Sequence, residues 1–156
     1  MKRIDISTPK HPATFVLVDD ADFDCLNQWK WCRNTRGYAV RRDSVSGRVV
    51  LMHREILSPP AGVLVDHING DPLDNQRENM RLCTHAENIR NCKKHRNGAT
   101  SRFKGVSWNK RDKSFQVSIM FQRKAMNLGS YKSEEDAARA YEAAAHKYHG
   151  EFARTN

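Results

Sequence analysis

The C-terminal third of the chain has the clearest pattern of hydrophobic and polar positions. Strict alternation in Phe115-Gln116-Val117-Ser118-Ile119 is typical of a strand with one buried face. Apolar positions at similar spacing predict three strands, at 103–108, 114–121 and 124–128. Ser133 then begins a helix with acidic residues in its first turn, and apolar residues recur at helical spacing as far as Gly150. We therefore predict a three-stranded antiparallel sheet packed on one alanine-rich helix.

The central part of the chain predicts a β-β-α unit. An apolar stretch at 62–65 runs into Asp66 and His67, which indicates a short strand. Residues 69–78 are polar and rich in turn formers, so we expect a loop. A second short strand is predicted at 79–83. The Thr-x-x-Glu sequence at 84–87 has the form of a helix capping box, which places the start of a helix at Thr84.

The first fifty residues have a weaker pattern. It indicates a strand at 14–18, a short helix at 22–29 and a hairpin formed by 38–42 and 48–52. The predicted fold class is therefore α+β. We predict an N-terminal β-rich scaffold and DNA-contact region at 1–52, a β-β-α unit at 53–96 and a C-terminal sheet module at 97–156.

Charge is distributed unevenly along the chain. The formal net charge is +9, yet residues 1–92 carry 13 Lys or Arg against 12 Asp or Glu. Residues 93–132 carry 11 basic residues and a single acidic one, Asp112. A concentrated basic block is typical of a protein that binds a polyanion. The sequence shows neither a long apolar run nor a signal-peptide pattern, so we expect an intracellular protein without a membrane partner.

The candidate chemistry lies in the central unit. Asp66 and His67 stand side by side, and Asn79 and Asn88 follow at spacings that can return to the same point. A carboxylate and an amide oxygen suit a hard divalent cation, and a neutral imidazole suits proton abstraction from water. These are the groups needed to cut a phosphodiester with one metal ion. The alternative is a polar turn with a locally hydrogen-bonded histidine.

The same segment resembles the HNH endonuclease family, and most of all its phage homing enzymes. The likeness lies in His53-Arg54-Glu55-Ile56-Leu57, Val65–Asp71, Asn79-Met80-Arg81 and Glu87-Asn88. It implies that His67 is the general base, that Asp66 and Asn88 hold one Mg²⁺ or Mn²⁺, and that Asn79 orients the His67 ring. Asn75 is the rival for the orienting role. His53 is a possible accessory residue near the phosphate or the metal.

The C-terminal module resembles the Apetala-2/ethylene-response-factor DNA-binding domain. The likeness rests on Phe103-Lys104-Gly105-Val106, Trp108, Leu128–Tyr131, Glu135–Tyr141 and His149–Ala153. It implies that the free face of the sheet and its loops, both expected to be basic, bind double-stranded DNA. Including the flanking cations, the predicted DNA contacts are Arg41, Arg54, Arg81, Arg90, Lys93, Lys94, Arg102, Lys104, Ser107, Trp108, Lys110, Arg111, Gln116 and Arg123. Asn109 and Ser107 stand where plant members tend to have arginine, so only the binding mode is carried over.

The four cysteines do not favour a zinc site. Cys25, Cys32, Cys83 and Cys92 form no Cys-x-x-Cys pair, so structural zinc is not expected, and we predict reduced, mostly buried thiols. The predicted function is a metal-dependent, strand-nicking endonuclease that acts as a monomer on DNA, encoded by a phage and located in the cytoplasm of its bacterial host. The alternative is a non-catalytic DNA-binding regulator.

Overall fold

A computed structural model describes residues 1–94 and 98–154. The chain divides into two compact units, Met1–His85 and Ala86–Asn156, and each is a mixture of short helices and small antiparallel sheets. The predicted α+β class is confirmed. The three-region division at 1–52, 53–96 and 97–156 stays a prediction.

The first unit contains three small sheets and two short helices. Strands β1 (Lys2–Asp5) and β2 (Phe15–Val18) pair with each other, and helix α1 (Asp20–Asn27) follows. Strands β3 (Cys32–Arg33), β4 (Ala39–Arg42) and β5 (Val49–Leu51) form the second sheet, and β5 runs into helix α2 (Met52–Leu57). Strands β6 (Leu64–His67) and β7 (Met80–Cys83) form the third.

One apolar core joins these pieces. It gathers side chains from every sheet and both helices, with Met52, Val16 and Val18 fully buried at its centre. Trp31 is 3 % exposed, and its indole nitrogen donates to the carbonyl of Leu26 at 2.8 Å, so the buried ring keeps its polar atom satisfied. This core fixes the ends of β6 and α2, where the candidate site residues lie.

The loop between β6 and β7 is held by strand β2. The backbone of Leu17 accepts from Asn75 at 2.8 Å and donates to Leu73 at 2.9 Å, which forms a parallel bridge across Asp74. Backbone hydrogen bonds to β2 on both sides of Asp74 fix the backbone of this loop segment. Asn75 is consequently 1 % exposed although it lies in a polar loop.

Helix α3 spans His85–Asn91, and all of it except His85 belongs to the second unit. Strands β8 (Val106–Asn109), β9 (Ser114–Phe121) and β10 (Lys124–Tyr131) form an antiparallel sheet with β9 in the middle. Helix α4 (Glu134–His149) packs its alanine and tyrosine side chains on one face of this sheet. Its N-terminus is capped by Ser133, whose side chain accepts from the backbone nitrogen of Asp136.

Gly105, just before β8, allows a very close approach to α4. Its φ is +72°, and a Cβ at this position would lie 2.0 Å from the ring of Tyr141. Only glycine combines this backbone conformation with the absence of a side chain. The loop before β8 is therefore fixed against the helix.

Three of the strands and α-helices of the first unit were not predicted from the pattern: β1, β3 and α2. The apolar run before His53 indicated a strand as far as Met52, but the chain turns into helix at that residue. Six residues are too few to show helical periodicity, so the pattern contains little evidence for α2.

Candidate active site

Two rings from separate elements lie against the predicted general base, His67. His67 ends β6, His53 lies in α2, and Tyr38 precedes β4. The His53 and His67 rings are perpendicular with centroids 5.3 Å apart, and the Tyr38 ring lies 5.1 Å from His53 and 5.9 Å from His67. His53 is 7 % exposed and His67 is 5 % exposed. The imidazole of His67 is therefore held by packing on several sides.

The side-chain amide that contacts His67 belongs to Asn75. Nε2 of His67 lies 3.4 Å from Oδ1 of Asn75, at the long end of the hydrogen-bond range. Asn75 was the rival candidate for orienting the ring, and the assignment of that role to Asn79 stays a prediction. Strand β2 fixes the backbone of Asn75 and so directs its amide at the imidazole.

Asn79 fastens the β6–β7 loop instead. Its Oδ1 accepts from the backbone nitrogen of Asn69 at 3.1 Å, and its Nδ2 donates to Oδ1 of Asn69 at 3.1 Å and to the carbonyl of Asp74 at 2.8 Å. These bonds tie both ends of the loop to the start of β7. Asn79 is thus connected to the loop segment that carries Asn75.

The carboxylate of Asp66 is paired with Arg81. The two residues face each other across β6 and β7, and Nε and Nη2 of Arg81 donate to Oδ2 of Asp66 at 2.9 and 2.8 Å. Both side chains are largely buried, at 6 % exposed for Asp66 and 12 % for Arg81. This arrangement orients the carboxylate, and it gives Arg81 an internal partner where we had expected a phosphate contact.

Burial keeps both histidines neutral near pH 7. It lowers the pKa of His53 to about 4, helped by the neighbouring His67 and Arg54. Burial also lowers the pKa of His67, although the contact with Asn75 and the carboxylates of Asp66, Asp71 and Asp74 partly oppose the shift. A neutral imidazole is the form that can accept a proton from water.

Several cations predicted to contact DNA have partners within their own unit. Arg41 donates to Glu55 and stacks over Trp29 and Trp31, and Arg54 donates to the carbonyl of Val63 at 3.0 Å. The ammonium groups of Lys94 and Lys104 both donate to backbone carbonyls. These four cations are half-buried and have acceptors within their own unit, and their contacts with DNA stay predictions.

The other predicted contacts lie on or near the surface. Lys93, Arg102, Ser107, Lys110, Arg111 and Arg123 are exposed, whereas Arg90, Trp108 and Gln116 are half-buried. Trp108 packs on Phe115 with ring centroids 4.7 Å apart.

The free face of the β8–β10 sheet carries uncharged side chains, which are mostly polar apart from the exposed Met120. Ser107, Gln116 and Ser130 are cross-strand neighbours there, next to Ser118 and Asn127. The expectation of a basic face is therefore wrong for the strands themselves. The basic side chains lie in the turns, at Lys110 and Arg111 before β9 and at Arg123 before β10.

Tyr38 was missed by sequence reasoning as a site residue. It was assigned only to a hairpin strand, and nothing in its local pattern distinguishes it from a core aromatic residue. The contact arises because β4, α2 and β6 meet in the core, which no short-range spacing encodes.

The thiols are more exposed than predicted. Cys25, Cys32 and Cys92 are exposed and Cys83 is buried, so the expectation of mostly buried cysteines is wrong. All four are free thiols. In the part of the chain that the structure describes, no helix is long and apolar enough to cross a membrane.

Similarity to known proteins agrees with the site. A family model described as HNH endonuclease matches residues 58–90, which include Asp66, His67, Asn75, Asn79 and Asn88. The chain is 35 % identical over 95 residues to Protein 3.8 of Escherichia phage T7, covering 61 % of this chain and 77 % of that protein. It is 29 % identical over 149 residues to the Uncharacterized HNH endonuclease L560 of Acanthamoeba polyphaga mimivirus, covering 92 % of this chain and 75 % of that protein. No solved structure matches the chain. The chain belongs to the HNH endonuclease family.

Enzymes of this family generally use a divalent metal ion. Among residues 1–94 and 98–154 no group of three or more His, Cys, Asp or Glu side chains is gathered as in a carboxylate- or thiolate-rich metal site. The motif offers oxygen donors, and in the first unit the buried carboxylate of Asp66 is one of them. A carboxylate is a hard oxygen donor that suits Mg²⁺ or Mn²⁺, and the metal-binding role of Asp66 and Asn88 stays a prediction.

Proposed function

We propose that the protein is a metal-dependent, strand-nicking DNA endonuclease of the phage homing type. The observation that carries this proposal is the burial of a neutral His67 beside Asp66, with the imidazole packed among His53, Tyr38 and Asn75. A solvent-exposed polar turn would not need such support. Membership of the HNH endonuclease family supports the same chemistry.

In the proposed reaction His67 accepts a proton from a water molecule. The hydroxide oxygen bonds to phosphorus as the bond from phosphorus to the 3′ oxygen breaks, and the leaving oxygen then takes up a proton. The products carry a 5′-phosphate and a 3′-hydroxyl. Asp66 and Asn88 would hold the divalent cation, which when bound stabilises negative charge on the phosphate and on the leaving oxygen.

Within this proposal Asn75 and Asn79 have different tasks. Asn75 contacts the imidazole directly, and Asn79 keeps the loop that carries Asn75 closed. His53 and Tyr38 restrict the tilt of the His67 ring from the opposite elements. A base held in this way is oriented before the substrate arrives.

We further propose that the C-terminal module binds double-stranded DNA in the manner of the Apetala-2/ethylene-response-factor domain. A three-stranded sheet packed on a single helix supports this proposal, as do the basic turns at its rim. Lys110, Arg111 and Arg123 would contact phosphates, and the polar face with Ser107 and Gln116 would meet base edges. One such module and one nuclease unit per chain would nick one strand as a monomer on DNA, in the host cell of a phage.

A supercoiled-plasmid assay tests the nuclease. With Mg²⁺ present, the wild-type protein should convert plasmid containing its target to open circles, and EDTA should prevent this. His67→Ala should abolish nicking and leave DNA affinity nearly unchanged. His11→Ala is the matched control, because it removes an imidazole from the β1–β2 connection of the same unit.

Binding without nicking at any site in a phage or host DNA library would refute the nuclease and favour the non-catalytic regulator. A parallel loss of affinity in His67→Ala would contradict the role assigned to the imidazole. For the module, Lys110→Met should lower the slope of log affinity against log salt by about one unit. An unchanged slope would contradict a phosphate contact at that lysine.

A further inference from the structure

Two half-buried lysines fasten helix α3 to the sheet module. The ammonium of Lys104 donates to the carbonyls of Arg90 at 2.6 Å, Cys92 at 2.7 Å and Ile89 at 3.4 Å. These carbonyls belong to the last turn of α3 and to the residue after it. Carbonyls at this end of a helix have no hydrogen-bond donor within the helix itself. A cation at this end of a helix is favoured by the dipole as well as by the hydrogen bonds.

Lys94 makes the reciprocal contact. It follows α3, and its ammonium donates to the carbonyls of Phe103 at 2.7 Å and Val106 at 2.6 Å, on either side of Lys104 and Gly105. Burial lowers the pKa of both ammonium groups, as expected for charges enclosed by backbone acceptors. The segment after α3 and the loop before β8 thus hold each other.

The loop that carries Lys104 is itself fixed to the module. Gly105 lies against Tyr141 of α4, and its carbonyl accepts from the backbone nitrogen of Ser118 in β9 at 2.9 Å. The contacts therefore run without a break from the sheet, through Gly105 and Lys104, to the C-terminus of α3.

Among the described residues, the buried apolar core of the module provides no second connection to α3. The core of the module draws its buried side chains from β8, β9 and α4, and none comes from α3. Ile89 is 53 % exposed, and a cavity of about 600 Å³ separates Ile89 from Met120 and Ile119. The contacts described above lie at the C-terminal end of the helix and are polar.

We infer that Lys104, supported by Lys94, is a positioning residue for the nuclease: it fixes the helix that carries Asn88 to the module that binds DNA. The inference rests on the proposed function, because Asn88 matters only if it holds the metal. Docking of the sheet on DNA then determines where α3 lies. The two lysines act on protein carbonyls and make no contact with phosphate.

The test compares Lys104→Met with Lys132→Met, which removes the same charge from an exposed position at the end of β10. Amide hydrogen exchange in the α3 peptide should be faster in Lys104→Met, on the order of tenfold, and unchanged in Lys132→Met. Exchange in β9 should stay as in the wild type, which shows that the module is folded. Lys104→Arg should restore part of the protection, since a guanidinium also donates to carbonyls.

Activity and binding complete the test. Single-turnover nicking by Lys104→Met should fall on the order of 100-fold, the effect of a small misplacement of a reacting group, while DNA affinity and its salt slope stay unchanged. Unchanged α3 exchange, or a salt slope lowered by about one unit, would overturn the inference, because the lysine would then be an ordinary phosphate contact. Faster α3 exchange with undiminished nicking would also overturn it. A wild-type protein without nuclease activity refutes the proposed function alone. The exchange measurement then still decides whether Lys104 holds α3 to the module.

Discussion

Replacing His53 with Phe should remove a large acid sensitivity from the first unit. The phenyl ring keeps the packing against Tyr38 and His67, but it cannot bind a proton. The groups facing His53 are His67, Tyr38 and the Arg54 guanidinium, and burial among them lowers its pKa to about 4. In the unfolded chain the pKa returns to the ordinary value of 6.5.

The sign and size of the effect follow from these two values. The unfolded chain binds the proton more tightly, so the stability associated with a neutral His53 is complete above pH 6.5 and is lost as the pH falls towards 4. A shift from 6.5 to about 4 corresponds to about 3 kcal/mol in full. At pH 5 the loss should already be about 2 kcal/mol, whereas at pH 7.5 it is negligible.

Urea unfolding at pH 7.5 and pH 5 measures this difference. A Trp108→Phe background leaves Trp29 and Trp31 as the fluorophores, so that the signal reports the first unit alone. The wild-type unfolding free energy should fall by about 2 kcal/mol more than that of His53→Phe between the two pH values. Parallel pH dependences in the two proteins would refute the reasoning, because other titrating groups are common to both.

Three further predictions concern single contacts. Arg81→Met should destabilise the first unit by about 3 kcal/mol, because it removes the guanidinium that pairs with the buried Asp66 carboxylate, and an unchanged urea midpoint would contradict this ion pair. Gly105→Ala should destabilise the second unit by roughly 2 kcal/mol or more, measured as a lower melting temperature by circular dichroism. Tyr141→Leu in the same chain should recover part of this stability if the ring is the obstacle. Asn75→Ala should slow nicking with little change in DNA affinity, and equal nicking rates in this variant and the wild type would show that the amide does not orient His67.

The sequence predicted the elements whose pattern is long or capped. The eight residues of β9 alternate cleanly, and Ser133 caps α4 as expected, so both were assigned with nearly correct bounds. Short elements were harder, because β1 and α2 span four and six residues and lack a full period of either pattern. The β-β-α order was recovered because a polar loop separates its two strands.

The residues of the candidate site stay a prediction, and most of the contacts among them could not be inferred from the sequence. Asp66 and His67 were identified by residue type and spacing, but the choice between Asn75 and Asn79 depended on Leu17, whose backbone fixes the loop from almost sixty residues away. Sequence spacing does not report such pairing. Likewise, a charge pattern identifies Lys94 and Lys104 as cations but does not reveal that their acceptors are backbone carbonyls of neighbouring segments.

The pairing of β2 with the loop at 73–75 has a practical consequence for protein engineering. The family motif spans 58–90, which suggests a cassette that could be transplanted into another DNA-binding scaffold. Such a cassette would leave behind the strand that closes its own loop, and Asn75 would lose the backbone partner that directs it. A transplant that is to keep its catalytic geometry should therefore begin before Phe15, or the recipient scaffold must offer a strand edge in the same place.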